Sequence, residues 1–442
     1  MIPLREATKA WFAISLQTFG GPAGQIAVMQ HKLVDEKRWI GQQRFLHALN
    51  YCMLLPGPEA QQLAVYTGWL LNGRRGGLIA GVLFVVPGMA ALLALSALYV
   101  GAGSTTVVAG VFAGLAPAVI AIVIQAVYRV GKRALHHPVL VGLAVASFLA
   151  LTVFGVPFPA VVLAAGILGW VMARRLPSLR AAKAPEVDDG PAPLISDNAL
   201  HHDTPSSGRS MRILALGLVL WFTPVLVVAA VFSRDSVFVD QGLFFSGAAV
   251  VTFGGAYAVL AYVADQAVNV YSWLAPGEMV RGLALAESTP GPLIMVVQFV
   301  AFVGAYRDPG SLDPWVAAVI ASMLVTWVTF VPCFLFVFLG APYVERLRRN
   351  EQLAAALTGI TAAVVGVIAN LAVFFALNTL FDETRRIAWG VARLDIPLFA
   401  SWDALAFALT GLALAMLFWR GWTPLRTLGV CAVLGLVATV LI

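Results

Sequence analysis

Two short motifs rich in glycine and proline interrupt apolar sequence, and each occurs twice. In the first half they are Thr18-Phe19-Gly20-Gly21-Pro22 and Leu55-Pro56-Gly57-Pro58; in the second they are Thr252-Phe253-Gly254-Gly255 and Thr289-Pro290-Gly291-Pro292. Gly20 falls on Gly254 and Pro56 on Pro290 at one offset, 234 residues (254 − 20 and 290 − 56), and Trp39 falls on Trp273 at the same offset. A repeat of this length makes the chain two copies of one unit, so any fold has to be assembled from both. Further on, Val86-Pro87 falls on Val331-Pro332, Tyr99 on Tyr343 and Gly114 on Gly359. The offset there has grown to 245 (332 − 87), which places an insertion around Arg307–Trp315.

The solvent in which these copies fold is set by composition. Of 442 residues, 60% are hydrophobic and 11% charged, against about 25% charged in a soluble domain. Charge-free runs at 76–100, 107–128, 138–173, 213–232, 315–340, 353–381, 404–419 and 427–442 have the length of membrane spans, and the run at 138–173 is long enough for two, with a corner at Gly155–Pro159. The net charge of +6 comes from short basic clusters between these runs. That is the pattern of loops on a membrane protein and excludes nucleic acid as a partner. Cys52, Cys333 and Cys431 sit in apolar runs and read as packing residues. Residues 174–211 form a polar linker, and His201, His202 and Asp203 within it lack the spaced partners of a metal site. Neither a metal nor a cofactor is expected. The N-terminus lacks a small-residue cleavage site and reads as a retained end.

Charge also orients the chain. If each motif-bearing segment is a re-entrant hairpin, the basic clusters at 32–44, 74–75 and 129–133 and the linker all share one face. The run at 213–232 has no counterpart in the first half and turns the second half over. On this arrangement 22 of the 28 Lys and Arg lie in loops of one face, and only Arg234, Arg281, Arg307, Arg385, Arg386 and Arg393 lie on the other. Basic loops stay cytoplasmic, which puts the N-terminus and the linker in the cytoplasm. The expected fold is an all-α polytopic membrane protein with two homologous halves in inverted topology. Each half has two broken or re-entrant helical hairpins plus about four transmembrane helices. The expected domains are a first repeat at 1–173, the linker at 174–211, and a second repeat at 212–442 that carries the extra helix.

The breaks carry the chemistry. Proline suits the first turn of a helix and glycine takes the backbone angles of a break, so Pro22 and Pro58 each open a half-helix. The first N–H groups of such a helix have no intrahelical partner and carry partial positive charge, which suits an anion. Inside a membrane a break of this kind belongs where protein or water surrounds it, and discontinuous helices in inverted repeats form the substrate sites of secondary transporters. Packing kinks would explain one such break; two different breaks, each repeated at fixed spacing, point to a site. The candidate binding residues are Gly20, Gly21, Pro22, Ala23, Gly24, Gln25, Pro56, Gly57, Pro58, Glu59, Gln61 and Gln62. Their second-half companions are Gly254, Gly255, Ser288, Thr289, Pro290, Gly291 and Pro292. Glu59 and Glu287 are carboxylates at membrane depth and candidates for coupling or gating. Arg44, His47 and Asn50 share one helical face on the approach to Pro56, where Arg44 and His47 are candidates for attracting an anion.

Phe19-Gly20-Gly21-Pro22-Ala23-Gly24-Gln25, Trp39-Ile40 to Phe45, and Leu54 to Leu63 with its Pro56-Gly57-Pro58-Glu59 core resemble the chromate ion transporter family in its long two-domain form. Phe253-Gly254-Gly255 and Thr289 to Pro292 fit that family's second repeat, and the resemblance covers nearly the whole chain. It implies a bacterial inner-membrane protein that exports chromate on the proton or potential gradient and confers chromate resistance. The two copies differ at Arg44 against Glu278, His47 against Arg281, and Glu59 against Leu293. The partners expected are chromate, with sulfate as the alternative substrate, and the lipid bilayer; a homodimer is left open. A sulfate or other oxyanion importer, an anion channel and an intramembrane enzyme are the rival readings. The last lacks a nucleophile–base pair or an H-E-x-x-H helix, so no enzyme is expected.

Overall fold

The computed structural model describes residues 2–103, 105–175, 193–195, 200–201, 205–344, 350–390 and 392–441. Most of the linker, with His202 and Asp203, and the basic cluster Arg346, Arg348 and Arg349 lie outside the described residues. The chain is helical almost throughout: α1 Leu4–Ser15, α2 Gly21–Gln30, α3 Gln42–Cys52, α4 Glu59–Ala102, α5 Thr106–Ala134, α6 Pro138–Thr152, α7 Phe158–Arg175 and α8 Ser207–Val231 in the first part. Then follow α9 Val237–Val251, α10 Ala256–Asp265, α11 Glu278–Ser288, α12 Val296–Arg307, α13 Pro314–Gly340, α14 Glu351–Leu380, α15 Ala404–Phe418 and α16 Pro424–Leu441.

Local chemistry sets the boundaries. Pro138 and Pro314 occupy the first turns of α6 and α13, where a missing N–H is harmless. Asp313 and Asp403 cap α13 and α15 by accepting N–H groups of the first turn, at 2.9 Å from Trp315 and 2.9 Å from Ala406. The helix α4 bends at Asn72 and Gly73, with Gly73 at φ 62°, so the two apolar runs on either side of Arg74 are joined by a kink. Among the described residues seven helices are long and apolar enough to cross a membrane: α4, α5, α7, α8, α13, α14 and α16. Their apolar side chains face outward as well as inward. Only 17% of the apolar window of α8 is buried, a surface that water would not tolerate and lipid does. This is a multi-pass membrane protein.

The repeat extends to backbone detail. Residues His31–Glu36 and Gln266–Val270 both widen into π-helical turns. They lead to Arg38 and Ser272, the two non-glycine residues with positive φ among those described (49° and 55°), which are themselves 234 residues apart (272 − 38). A difference from expectation lies between α14 and α15. There Thr384–Trp389 pairs antiparallel with Ala392–Pro397 as a β-hairpin (β1 and β2), and Arg386 binds Asp395 at 2.8 Å. The start of α15 is 266 residues beyond that of α6 (404 − 138), so the hairpin fills a second insertion in the later copy.

The chain forms two compact units, and neither coincides with a half. The first contains Met1–Ala94, Ala182–Ala256 and Thr289–Glu351; the second contains Leu95–Ala181, Tyr257–Ser288 and Gln352–Ile442. In the first unit, Trp11, Met29, Leu33, Trp39, Phe45 and Tyr66 form the centre of an apolar core. In the second, α5 crosses α16 at Gly114 and Gly435, where a Cβ on Gly114 would lie 1.8 Å from the Cys431 carbonyl oxygen. The mirror crossing is α14 on α7 at Gly359 and Gly169, where a Cβ on Gly359 would lie 2.4 Å from the Ala165 carbonyl oxygen. Gly359 is the counterpart of Gly114, and Gly435 the counterpart of Gly169 at the later offset of 266 (435 − 169). Each half therefore lends a helix to the other half's glycine contact, as an approximate two-fold axis between the copies requires. Small residues at such crossings let helix backbones approach closely.

Because both units draw on both halves, each half leaves surfaces that the other half covers. Cutting the chain between Ser196 and Asp197 and expressing the pieces separately is expected to leave each aggregated or degraded, while co-expression restores a co-purifying pair. Size-exclusion chromatography checks this; a monodisperse single piece with cooperative unfolding would contradict it.

Candidate functional site

The first unit contains all four breaks, and its hydrogen bonds tie them in pairs across the repeat. The Gly57 N–H donates to the Thr252 carbonyl at 2.8 Å, and the Gly291 N–H donates to the Thr18 carbonyl at 3.0 Å. Thr252 is Thr18 shifted by 234 and Gly291 is Gly57 shifted by 234 (252 − 18 and 291 − 57), so each bond is the image of the other under exchange of the halves. The threonines are held in turn by their hydroxyls: Thr18 donates to the Ser15 carbonyl at 2.9 Å and Thr252 to the Ala248 carbonyl at 2.6 Å. Glycine is required at both donors, with φ of 120° at Gly57 and 99° at Gly291.

Side chains from the later spans close against the same points. A Cβ on Gly57 would lie 2.9 Å from Cys333 Sγ, and one on Gly88 would lie 2.3 Å from the Pro290 carbonyl oxygen. Gly88 and Cys333 are counterparts at the offset of 245 (333 − 88), so α4 backs one break with a glycine and α13 backs the other with a thiol. All three cysteines are buried and free.

The expected binding residues take their places around these ties. Gly20 and Gly21, at φ 79° and 74°, turn the chain into α2; Pro22 lies in its first turn; Ala23 is exposed; Gly24 packs on the Phe19 carbonyl. Gln25 is buried and donates to the Gly291 carbonyl at 2.5 Å. The Pro56 carbonyl accepts from the Gln62 side chain at 2.6 Å, and the Pro58 carbonyl accepts the Gln62 N–H at 3.1 Å. Glu59 opens α4, and its Oε1 lies 3.9 Å from where a Cβ on Gly255 would stand, so this helix start faces the Gly254-Gly255 break. Gln61 is fully buried, and neither its amide nitrogen nor its amide oxygen has a hydrogen-bond partner among the described residues. Gln25 Oε1 and Gln62 Oε1 are likewise buried without partners among the described residues. Thr289 is buried, and Pro292 leads into the 3₁₀ turn Leu293–Met295 ahead of α12. Buried amides without partners are uncommon in native proteins and mark places where water or ligand completes the bonding. On α3, Arg44 and His47 are half-buried and Asn50 is exposed; Arg44 Nε has no partner among the described residues.

Two expected residues belong to the other unit. Ser288 donates to the Leu285 carbonyl at 2.8 Å, an ordinary helical back-bond. Glu287 is buried and accepts from the Tyr257 hydroxyl. Glu278 also lies there: it accepts the Ala275 N–H at 2.6 Å and the Tyr99 hydroxyl at 2.8 Å, so it closes the start of α11. Residues that sequence reasoning passed over are Thr18 and Thr252, which accept the cross-repeat bonds, and Gly88, Cys333 and Gln298. The threonines open the repeated Thr-Phe-Gly-Gly motif, and Gly88 follows the repeated Val-Pro, so repetition was the signal available. Gln298, fully buried, donates to the Met89 carbonyl at 3.1 Å and carried no such signal.

The sequence model of the chromate transporter family matches residues 5–170 and 239–436. The chain belongs to the chromate transporter family. It is 34% identical over 362 residues to a chromate transport protein of Pseudomonas aeruginosa, covering 80% of this chain and 76% of that one. It is 28% identical over 380 residues to a chromate transport protein of Cupriavidus metallidurans, covering 86% and 84%. A shorter relative, the uncharacterized transporter YwrB of Bacillus subtilis, is 29% identical over 133 residues, 30% of this chain and 68% of that one. No solved structure matches the chain. Membership of the chromate transporter family makes this protein a transporter and not an enzyme, and both matched regions contain a complete pair of breaks.

Substituting Gly57 or Gly291 by alanine is expected to destabilise the protein by about 1–3 kcal/mol through strained backbone alone, with Gly57→Ala the worse because a Cβ there would lie 2.8 Å from Gln62 Nε2. Gly247→Ala, with nothing within 4 Å of the new atom, is the neutral control. Thermal unfolding in detergent checks the order, and equal midpoints for all three would contradict it.

Proposed function

We propose that this protein exports chromate across the bacterial inner membrane, driven by the proton or potential gradient, and so confers chromate resistance. The observation that carries this reading is the gathering of four helix breaks in one compact unit, together with a fully buried Gln61 in that unit whose amide has no partner among the described residues. A tetrahedral oxyanion needs several donors converging from different directions, and helix starts supply them without a permanent cation. The names of the two relatives that match most of the chain favour chromate. In this reading the anion lies against the helix starts after Gly20–Gly24 and Gly57–Gln61 and beside Gly254–Gly255, with Thr289–Pro292 holding the second pair of breaks. Glu59 gates it. Arg44 and His47 draw the anion to the cytoplasmic mouth.

The direction of travel follows from charge. An anion leaves a negative-inside cell with the potential, so an exporter needs little further driving force. The halves are inverted in the membrane, and the N-terminus and linker are cytoplasmic; the placement of 22 of the 28 Lys and Arg on one face supports both. Sulfate has the same charge and shape as chromate and is the competitor to test.

Uptake of labelled chromate into everted vesicles is expected to depend on energisation and to survive excess sulfate. Glu59→Gln and Gly21→Val are each expected to lower it at least tenfold, with membrane levels measured by immunoblot unchanged. Wild-type uptake in both variants would remove the site assignment, and uptake indifferent to energy would remove the export reading.

A further inference from the structure

Glu287 stands apart from the other described acidic residues. It lies in the last turn of α11, 1% exposed, two residues ahead of the Thr289-Pro290 break. Its Oε1 accepts a hydrogen bond from the Tyr257 hydroxyl, and Oε2 has no partner among the described residues. Glu278, on the same helix, is spoken for on both oxygens, and Asp313 and Asp403 cap helices. Among the described acidic residues, Glu287 alone combines burial with a carboxyl oxygen that has no partner.

Among the described residues, the elements around it bring no ion-pair partner. From α10 the facing group is Tyr257. From α5 it is Arg129, whose guanidinium is bound to Gln125 Oε1. From α16 the titratable groups are Arg426, in an exposed first turn, and the buried Cys431. On α11 itself, Arg281 is exposed and donates to Tyr99 at 3.4 Å. A charged carboxylate buried without a hydrogen-bonded cation is costly, and a proton is the smallest ligand that removes the cost. Ionisable residues at membrane depth are recurrent parts of proton relays.

We infer that Glu287, with Tyr257 as its positioning partner, is the site where the coupling proton binds during transport. The proposal rests on the export reading above and adds the residue that links it to the proton gradient. A proton from water on the outer side forms the Oε2–H bond of Glu287; the same bond breaks when the proton passes to water on the cytoplasmic side, as an anion leaves. Tyr257 keeps its own proton throughout and holds Oε1, so that only Oε2 exchanges. Nothing is oxidised or reduced, and one proton enters for each one released.

The test is made on the full chain in proteoliposomes with two assays. One is accumulation of labelled chromate driven by an imposed pH gradient; the other is chromate–chromate counterflow at equal pH, which needs the anion site but no net proton movement. Glu287→Gln is expected to lose driven accumulation at least tenfold while counterflow stays within twofold of wild type. Tyr257→Phe is expected to retain counterflow and to move the pH midpoint of driven accumulation, because its hydrogen bond acts on the charged carboxylate. Driven accumulation by Glu287→Gln at the wild-type level would overturn the proposal. So would loss of counterflow in a variant that elutes and unfolds like wild type, since the carboxyl would then serve the anion. An unmoved midpoint in Tyr257→Phe would remove Tyr257 from the site. Failure of the wild-type protein in both assays would instead overturn the export reading on which the proposal rests.

Discussion

Two backbone hydrogen bonds, Gly57 to Thr252 and Gly291 to Thr18, join the four helix breaks in two pairs. Each joins a break in one half of the chain to a break in the other. A break buried in a membrane protein leaves N–H and carbonyl groups that lipid cannot satisfy, and here the unsatisfied groups of one half satisfy those of the other. The Gln25 and Gln62 side chains complete the work at the Gly291 and Pro56 carbonyls. Among the described residues, the side-chain groups left over beside the breaks are the amide of Gln61 and the amide oxygens of Gln25 and Gln62. The transport proposal adds to these the helix starts, Glu59 and the basic residues of α3.

The same exchange organises the second unit by other means. There the currency is close packing at Gly114 with Gly435 and Gly359 with Gly169, where any side chain would strike a backbone atom. Hydrogen bonds join the halves where the chain is broken, and glycine contacts join them where helices are continuous. The two copies have diverged in what backs each break, glycine at 88 and cysteine at 333, and in the carboxylate that opens α4 but is leucine at the equivalent point before α12.

Much of this architecture could be read before any coordinates. The apolar runs marked the spans, Gly155–Pro159 marked a corner between two of them, and the 234-residue offset marked both pairs of breaks. The joining of the breaks could not be read, because the offset says which residues are equivalent and not which ones touch. Thr18 and Thr252 were visible as repeated letters, but their role belongs to backbone carbonyls, which have no sequence signature. The glycines at 114, 169, 359 and 435 look like any small residue in an apolar helix until their neighbours are known. The β-hairpin at Thr384–Trp389 and Ala392–Pro397 is short and charged and resembles a loop. Glu278 looked like a membrane carboxylate with an open role until Ala275 and Tyr99 were found on its oxygens.

The central claim is that a tetrahedral oxyanion sits against the helix starts of the first unit, held by backbone N–H groups. Chromate carries its own heavy-atom label. Anomalous scattering at the chromium edge from crystals of the chromate-bound protein should give one peak within hydrogen-bond reach of the backbone after Gly20 or Gly57, with the Gln61 amide turned toward it. A peak bound instead by the arginines of α3 or of the β-hairpin, with none at the breaks, would contradict the account.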